Sequence, residues 1–270
     1  MAQAECPQCR GTGFRPHIMR LYGVEARVAV PCDCVEGERT AHALERASIP
    51  KRYEHCDFEN FDTGLYESEP QAAGWNRSLE QAKLVVEAFA RDYPAGSDAG
   101  LLLMGPCGVG KTQLAVSAVK QLIARGHPCL FYDYRELLKE IQASYNPENQ
   151  STEMGILQPV LATEILLLDD LGASKPSTWA LETVGHILNT RYNEKRVTLL
   201  TTNYLDAPVW DGAEPARMPS GEKISAIRED TLGERVGQRI RSRLYEMCRT
   251  VEVVAPDFRR EVRQAGRARA

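Results

Sequence analysis

An α/β fold, a doubly wound parallel sheet behind a small cysteine-held head, is what this 270-residue sequence predicts. Three observations predict it. Short unbroken apolar runs alternate with amphipathic stretches through the body of the chain, the pattern of buried parallel strands and their covering helices. A glycine-rich turn joins one such run to one such stretch at 105–112. Four of the eight cysteines fall within the first 34 residues, in two close pairs.

The elements follow in order. Leu101-Leu102-Leu103-Met104 reads as a strand ending at Gly105. Residues 112–125 read as a helix whose apolar stripe, Leu114, Ala115, Ala118, Leu122 and Ile123, is closed by Gly126. A second strand over 129–132 and a helix over 135–143 come next. The polar stretch Asn146-Pro147-Glu148-Asn149 separates them from a helix over 154–161. Ile165-Leu166-Leu167-Leu168 is a third buried strand, running into Asp169-Asp170. The segment 178–194 is amphipathic through Leu181, Val184, Ile187, Leu188 and Tyr192, and 197–201 is a fourth strand. From Asp206 to Asp230 the chain reads as loop, with Pro208, Gly212, Pro215, Pro219 and Gly221. A single helix over 232–248 and a final strand over 251–254 complete the pattern.

Composition bounds the function. The net charge is -4, from 33 Lys plus Arg against 37 Asp plus Glu, which excludes a uniformly basic nucleic-acid coat. The charge is unevenly spread: +2 over residues 1–52, -12 over 53–234 and +6 over 235–270. No apolar run reaches the roughly 18–20 residues that span a bilayer. The first residues carry no apolar signal core, so a cytoplasmic location is expected. There the cysteines read as metal ligands or thiols, not disulfides.

The first chemical motif is Gly105-Pro106-Cys107-Gly108-Val109-Gly110-Lys111-Thr112. Its glycines let backbone N–H groups curl around phosphates at a helix N-terminus. Lys111 would reach the β- and γ-phosphates and the Thr112 hydroxyl would hold Mg²⁺. Cys107 is a spacer whose backbone matters. The second motif is the acid pair. Asp169, at the strand tip, takes the Mg²⁺ role, and Asp170 the role of polarising the attacking water. Asn203, ending the fourth strand in Thr201-Thr202-Asn203, is expected to face the γ-phosphate.

Together with Leu166-Leu167-Leu168-Asp169-Asp170-Leu171-Gly172, Arg191-Tyr192-Asn193, Thr201-Thr202-Asn203-Tyr204 and Arg239-Ile240-Arg241-Ser242-Arg243-Leu244, the phosphate loop resembles the AAA+ ATPases of the DnaC/IstB group. These are bacterial replicative-helicase loaders and the ATPase helpers of certain transposases. The resemblance covers residues 48–258. It implies an AAA+ (ASCE) core without a helical lid, with ATP between neighbouring subunits of a homo-oligomeric ring or spiral. It places an arginine of one subunit on its neighbour's γ-phosphate: Arg243, with Arg239 as the fallback one turn earlier. The pair Asp169-Asp170 departs from the Asp-Glu of many AAA+ proteins but is common in this group. Ile49-Pro50-Lys51-Arg52-Tyr53 and Phe58-Glu59-Asn60-Phe61 resemble the group's segment that wraps the adenine; as residues alone they suit ordinary packing.

The head is a separate piece of chemistry. Cys6-x-x-Cys9 and Cys32-x-Cys34 stand 22 residues apart. Cys6-Pro7-Gln8-Cys9-Arg10-Gly11-Thr12-Gly13 has the glycines of a zinc knuckle, and a hairpin from Phe14 to Val30 turning at Gly23 would join the pairs into a four-thiolate Zn²⁺ site. His17 is the rival ligand. Such a short domain needs the metal to hold its fold. Cys56, Cys129 and Cys248 read as packing residues.

The expected organisation is a zinc head over 1–36, a helical adenine-side segment over 37–62, the ATPase domain over 63–258 and a basic tail over 259–270. Lys175, Ser177 and Trp179 match the group's pore-facing region and are candidates for single-stranded DNA, although Trp179 also suits core packing. Tyr145 lies in the helical insertion over 134–162, and the tail arginines Arg259, Arg260, Arg263, Arg267 and Arg269 could touch phosphates or simply be solvated. Helicase, transposase and DNA all remain open as partners of the head. Three functions remain: a DnaC-like ATPase that loads a replicative helicase onto single-stranded DNA, an IstB-like transposase helper on duplex DNA, or a nucleotide-gated binding module with negligible turnover.

Overall fold

The computed structural model describes residues 6–21, 24–64, 72–95, 99–146, 148–149, 151–206 and 230–260. Gly23, Pro147, Pro208, Gly212, Pro215, Pro219, Gly221, Arg263, Arg267 and Arg269 lie outside the described residues. At the start, β1 (Phe14–Leu21) and β2 (Val24–Pro31) pair antiparallel, with Phe14 opposite Pro31 and Leu21 opposite Val24. This is the expected hairpin. Helix α1 (Asp33–Arg46) follows at once and delivers Ala47 to the main sheet, where the Phe131 N–H donates to the Ala47 carbonyl at 2.8 Å. The expected boundary at 36/37 therefore falls inside a helix. Residues of the 37–62 segment, among them Cys56, Phe58 and Phe61, are buried in the same core as the sheet.

The main sheet contains β3 (Gly100–Met104), β4 (Cys129–Asp133), β5 (Ile165–Asp169), β6 (Val197–Thr202) and β7 (Cys248–Glu252). All neighbours are parallel and the order is β4-β5-β6-β3-β7. The apolar runs are unbroken because both faces are covered. The pleat sends Leu101, Leu103, Ile165, Leu167 and Leu199 to one core, shared with α2 (Ala72–Asp92) and α3 (Lys111–Ala124). Leu102, Met104, Leu166, Leu168 and Leu200 go to the other, shared with α4 (Tyr134–Ala143), α5 (Glu153–Ala162), α6 (Thr178–Asn193) and α8 (Gln238–Met247).

Two expectations at the end of the chain are corrected. The single helix over 232–248 is two, α7 (Leu232–Val236) and α8, broken at Gly237 with φ 84° and ψ 148°. Only glycine adopts that backbone readily. The last strand is 248–252, not 251–254, because Gly100 pairs with Cys248 and Met104 with Glu252. Beyond it the chain crosses the phosphate loop so closely that a Cβ on Gly105 would sit 2.1 Å from the Val253 carbonyl oxygen. No helical bundle follows β7 among the described residues, and no helix there is long and apolar enough to cross a membrane.

Arg191 of α6 is fully buried and serves the sheet, not the surface. Its guanidinium donates to the carbonyls of Val160 and Thr163 at 2.9 Å, of Glu164 at 3.4 Å and of Val197 at 2.5 Å, and to Thr198 Oγ1 at 2.9 Å. Burial pulls its pKa down to about 9. Arg191→Ala would leave several buried carbonyls unpaired and should cost about 4 kcal/mol or more in denaturant unfolding. A loss below about 1 kcal/mol would show that these bonds hold little.

Candidate functional site

The phosphate loop lies between β3 and α3, and β6 lies between β3 and β5. This order puts the tip of β6 between the loop and the acid pair. Lys111 Nζ donates to the carbonyls of Gly105 at 2.9 Å and Pro106 at 2.7 Å, and to Asn203 Oδ1 at 2.7 Å. Asn203 Nδ2 donates in turn to Asp170 Oδ1 at 2.6 Å. Thr112 Oγ1 and Thr201 Oγ1 both donate to Asp169 Oδ1, at 2.8 and 2.6 Å, and the Asp170 N–H donates to Thr201 Oγ1 at 2.9 Å. The structure thus brings Lys111, Thr112, Asp169, Asp170 and Asn203 into one hydrogen-bonded group.

Backbone conformation makes the loop a cradle. Gly108 and Gly110 have φ of 80° and 94°; a Cβ on Gly108 would collide with the Asp257 carboxylate and one on Gly110 with the Phe61 ring at 2.5 Å. Gly110 caps α3 without a side-chain bond, so the first-turn N–H groups remain open to an anion. Pro106 and Cys107 are exposed and Val109 is buried. Burial lowers the Lys111 pKa to about 8, and burial also raises that of Asp169. Asp170 sits just after β5 at φ 59°, a left-handed conformation that turns its carboxylate toward Asn203 and Arg135, whose guanidinium lies 3.7 Å away.

A cleft of about 870 Å³, within the range of cofactor sites, opens over this group. Arg52, Tyr53, Asn60 and Phe61 also line it, with Phe61 against Gly110. That segment is held against α3 by Lys120, which donates to the carbonyls of Glu54 at 3.0 Å and Cys56 at 2.9 Å and pairs with Asp57 at 2.7 Å. The glycine cradle, open helix terminus and lysine fit a polyphosphate. The adjacent Thr112 hydroxyl and Asp169 carboxylate fit a divalent cation. Among the cleft residues that the sequence does not single out as nucleotide contacts are the two arginines Arg135 and Arg259, the latter placed in the tail. Neither carries a motif; only the fold brings them there.

In the head, the Sγ atoms of Cys6, Cys9, Cys32 and Cys34 all lie within 4.8 Å of one another. Cys6 and Cys32 are 3.7 Å apart, and Cys9 and Cys34 3.5 Å. Tetrahedral Zn–S bonds of about 2.3 Å need sulfurs about 3.8 Å apart, so this donor set fits zinc. Backbone N–H groups of Cys9 and Gln8 hold the Cys6 thiol down at about 6. Cys34 comes from the first turn of α1. His17 is exposed on β1 and outside the cluster.

The remaining candidates lie elsewhere. Arg243 is on α8, its guanidinium 5.2 Å over the Tyr192 ring, and neither it nor the exposed Arg239 lines the cleft of its own chain. Lys175 is exposed. Ser177 caps α6 by accepting from the Ala180 N–H at 3.1 Å. Trp179 is half-buried against the core and donates to Tyr145 Oη at 3.3 Å.

Comparison with known proteins gives the relationship. The family profile of the IstB-like ATP binding proteins matches residues 72–212. The chain belongs to this family. Among relatives of this IstB-like protein, the replicative helicase loader DnaC of Escherichia coli is 24% identical over 179 residues, 65% of this chain and 68% of that protein. DnaC of Buchnera aphidicola (subsp. Schizaphis graminum) is 24% identical over 160 residues, 59% of this chain and 60% of the relative's length. A crystal structure of the DnaC helicase loader superposes with a TM-score of 0.57 at 25% identity, covering 76% of this chain and all of that one. The sheet is thus an AAA+ core.

Proposed function

We propose that this IstB-like ATP-binding protein is an ATPase that loads a replicative helicase onto single-stranded DNA; its DnaC relatives are named replicative helicase loaders. The observation that carries the ATPase part is the hydrogen-bonded chain from Lys111 through Asn203 to Asp170, which joins a phosphate cation to a water-orienting carboxylate. In this reading ATP enters the cleft with its base end toward Tyr53 and Phe61. The loop amides of 105–112 take the phosphates, and Lys111 leaves the Gly105 and Pro106 carbonyls for the β- and γ-oxygens. Thr112 and Asp169 would hold Mg²⁺, which would supply charge neutralisation for the phosphates. Asn203 and Asp170 orient the attacking water and Asp170 accepts its proton. Arg243 reaches the γ-phosphate of the neighbouring subunit, so the site is completed only in the homo-oligomer. The four-cysteine head, holding Zn²⁺ through Cys6, Cys9, Cys32 and Cys34, is the helicase-gripping module. Residues 63–258, with the core-buried segment 47–61 packed into them, form the ATPase domain, and Lys175 and Trp179 lie along the DNA path.

A second reading follows from the family match itself: an IstB-like helper that assembles with a transposase on duplex DNA. The two are separated by incubating the full chain and ATP with the host's replicative helicase on circular single-stranded DNA, or with a transposase on duplex. ATP-dependent transfer of helicase to the circle is expected. Transposase stimulation with no helicase transfer would overturn the loader reading in favour of the second.

A further inference from the structure

One side chain, Arg235 on α7, is bonded to the chain just beyond both strand tips that face the cleft. Its side chain is only 11% exposed. Nε donates to the Gly172 carbonyl at 2.9 Å, and Nη2 to the Ala173 carbonyl at 3.5 Å and to Tyr204 Oη at 2.6 Å; the guanidinium also stacks 4.5 Å over the Tyr204 ring. Gly172 and Ala173 form the turn that closes back on Asp170, through the Ala173 N–H to the Asp170 carbonyl at 3.1 Å. Tyr204 is the residue after Asn203. Arg235 therefore touches the chain immediately beyond each of the two residues that face a γ-phosphate.

The other end of the connection is a jointed helix pair. α7 is pinned at its start by a Thr231–Glu234 capping box and by the Leu232 N–H donating to the Leu205 carbonyl at 2.8 Å. At its end Gly237, with φ 84° and nothing within 4 Å of where a Cβ would lie, separates it from α8. A glycine in that conformation, with open space where a side chain would be, is the bend between α7 and the core-packed α8, and a small change there alters the tilt of α8. α8 is the helix that carries Arg239 and Arg243.

We propose that Arg235 is the positioning residue that couples γ-phosphate occupancy to the orientation of α8. This rests on the nucleotide reading of the cleft. When Asp170 and Asn203 shift from each other and from Lys111 onto phosphate and water, the 171–173 turn and Tyr204 shift with them. Arg235, bonded to both, carries the displacement to α7 and across Gly237 to the arginines offered to a neighbour. Its planar head spreads its donors over two carbonyls and a phenol while stacking on the Tyr204 ring, a geometry the compact ammonium of lysine does not reproduce.

The test is hydrogen–deuterium exchange of residues 232–247 in the full chain, with and without a non-hydrolysable ATP analogue, alongside a titration with a fluorescent ATP analogue. In the wild type the nucleotide should slow exchange there by about fivefold or more, the lower range of site-to-site couplings. Arg235→Met should bind the analogue with near wild-type affinity and lose that response. Arg235→Lys should restore little of it. Tyr204→Phe, which keeps the fold and the stacking, should weaken it. A response that persists in Arg235→Met, or a wild type that binds nucleotide without any change at 232–247, would overturn the proposal. Should Arg235→Met fail to fold, Tyr204→Phe decides alone. Failure of the wild type to bind the analogue overturns the nucleotide reading instead.

Discussion

Lys111→Ala should lower ATP affinity by about a hundredfold or more while leaving the protein folded, because it removes charge-assisted bonds to two phosphates. The side chain is buried to 6% exposure, yet it holds no acid: its partners are two carbonyls and the Asn203 amide oxygen. Its charge is thus available to a ligand. The pH dependence has a definite sign. In the empty cleft burial lowers the Lys111 pKa to about 8 from 10.5, and bound phosphates favour the protonated form. Affinity should therefore be full below pH 8 and fall by about tenfold per pH unit above it. In the absence of ligand the unfolded chain holds this proton longer than the fold does, so Lys111 makes the empty protein more stable as pH rises from about 8 to 10.5. Titration of a fluorescent ATP analogue at pH 7, 8 and 9 checks the affinity, and denaturant unfolding of the empty protein at pH 8 and 10 checks the stability; unchanged affinity in Lys111→Ala would remove the phosphate assignment.

Removing zinc should unfold the head and spare the body. The head's buried cluster consists of Cys6, Cys9 and Cys32, with Cys34 packed against it, and Phe14 and Ile18 of its hairpin are exposed. Among the described residues no apolar core is present there to replace a metal, and structural Zn²⁺ in such small units carries an apparent binding free energy of about 10–16 kcal/mol. The purified protein should contain about one Zn²⁺ per chain. Chelation, or Cys6→Ser with Cys9→Ser, should abolish amide protection over 14–31 and leave ATP affinity within about twofold, since the sheet's two cores lie outside the head. A metal-free protein with a protected hairpin would contradict this.

Much of the fold and the candidate site was legible because the relevant signals are short-range. Ile165 to Leu168 is apolar at every position because both faces of β5 are buried, and the phosphate loop is a local device whose spacing follows from the turn it makes. What the sequence concealed depends on distant contacts. α2 presents a stripe of Ala72, Leu79, Ala82, Val86 and Ala90, whose small side chains give little contrast with the surface. The end of β7 is set by its pairing with β3, and the break at Gly237 by one backbone conformation inside an otherwise helical pattern. Arg135 and Arg259 face the cleft, and Arg235 touches the strand tips behind it, only because the chain folds them there. Arg191 sits in a motif that resembles the family's, yet its position in the fold is that of a core clamp.

The shared nucleotide site is tested most directly by mixing two variants that are each inactive. Arg243→Ala keeps an intact cleft but offers its neighbour no arginine; Asp170→Asn offers the arginine but cannot polarise water. Each alone should bind ATP and show at most about 1% of wild-type ATPase activity on single-stranded DNA, the loss expected when a γ-phosphate arginine or a water-orienting group is removed. Mixed in equal amounts, they should regain a substantial fraction of that activity through the interfaces that combine an intact Asp170 cleft with an intact Arg243. A mixture no more active than its two components would contradict a site completed by the neighbouring subunit.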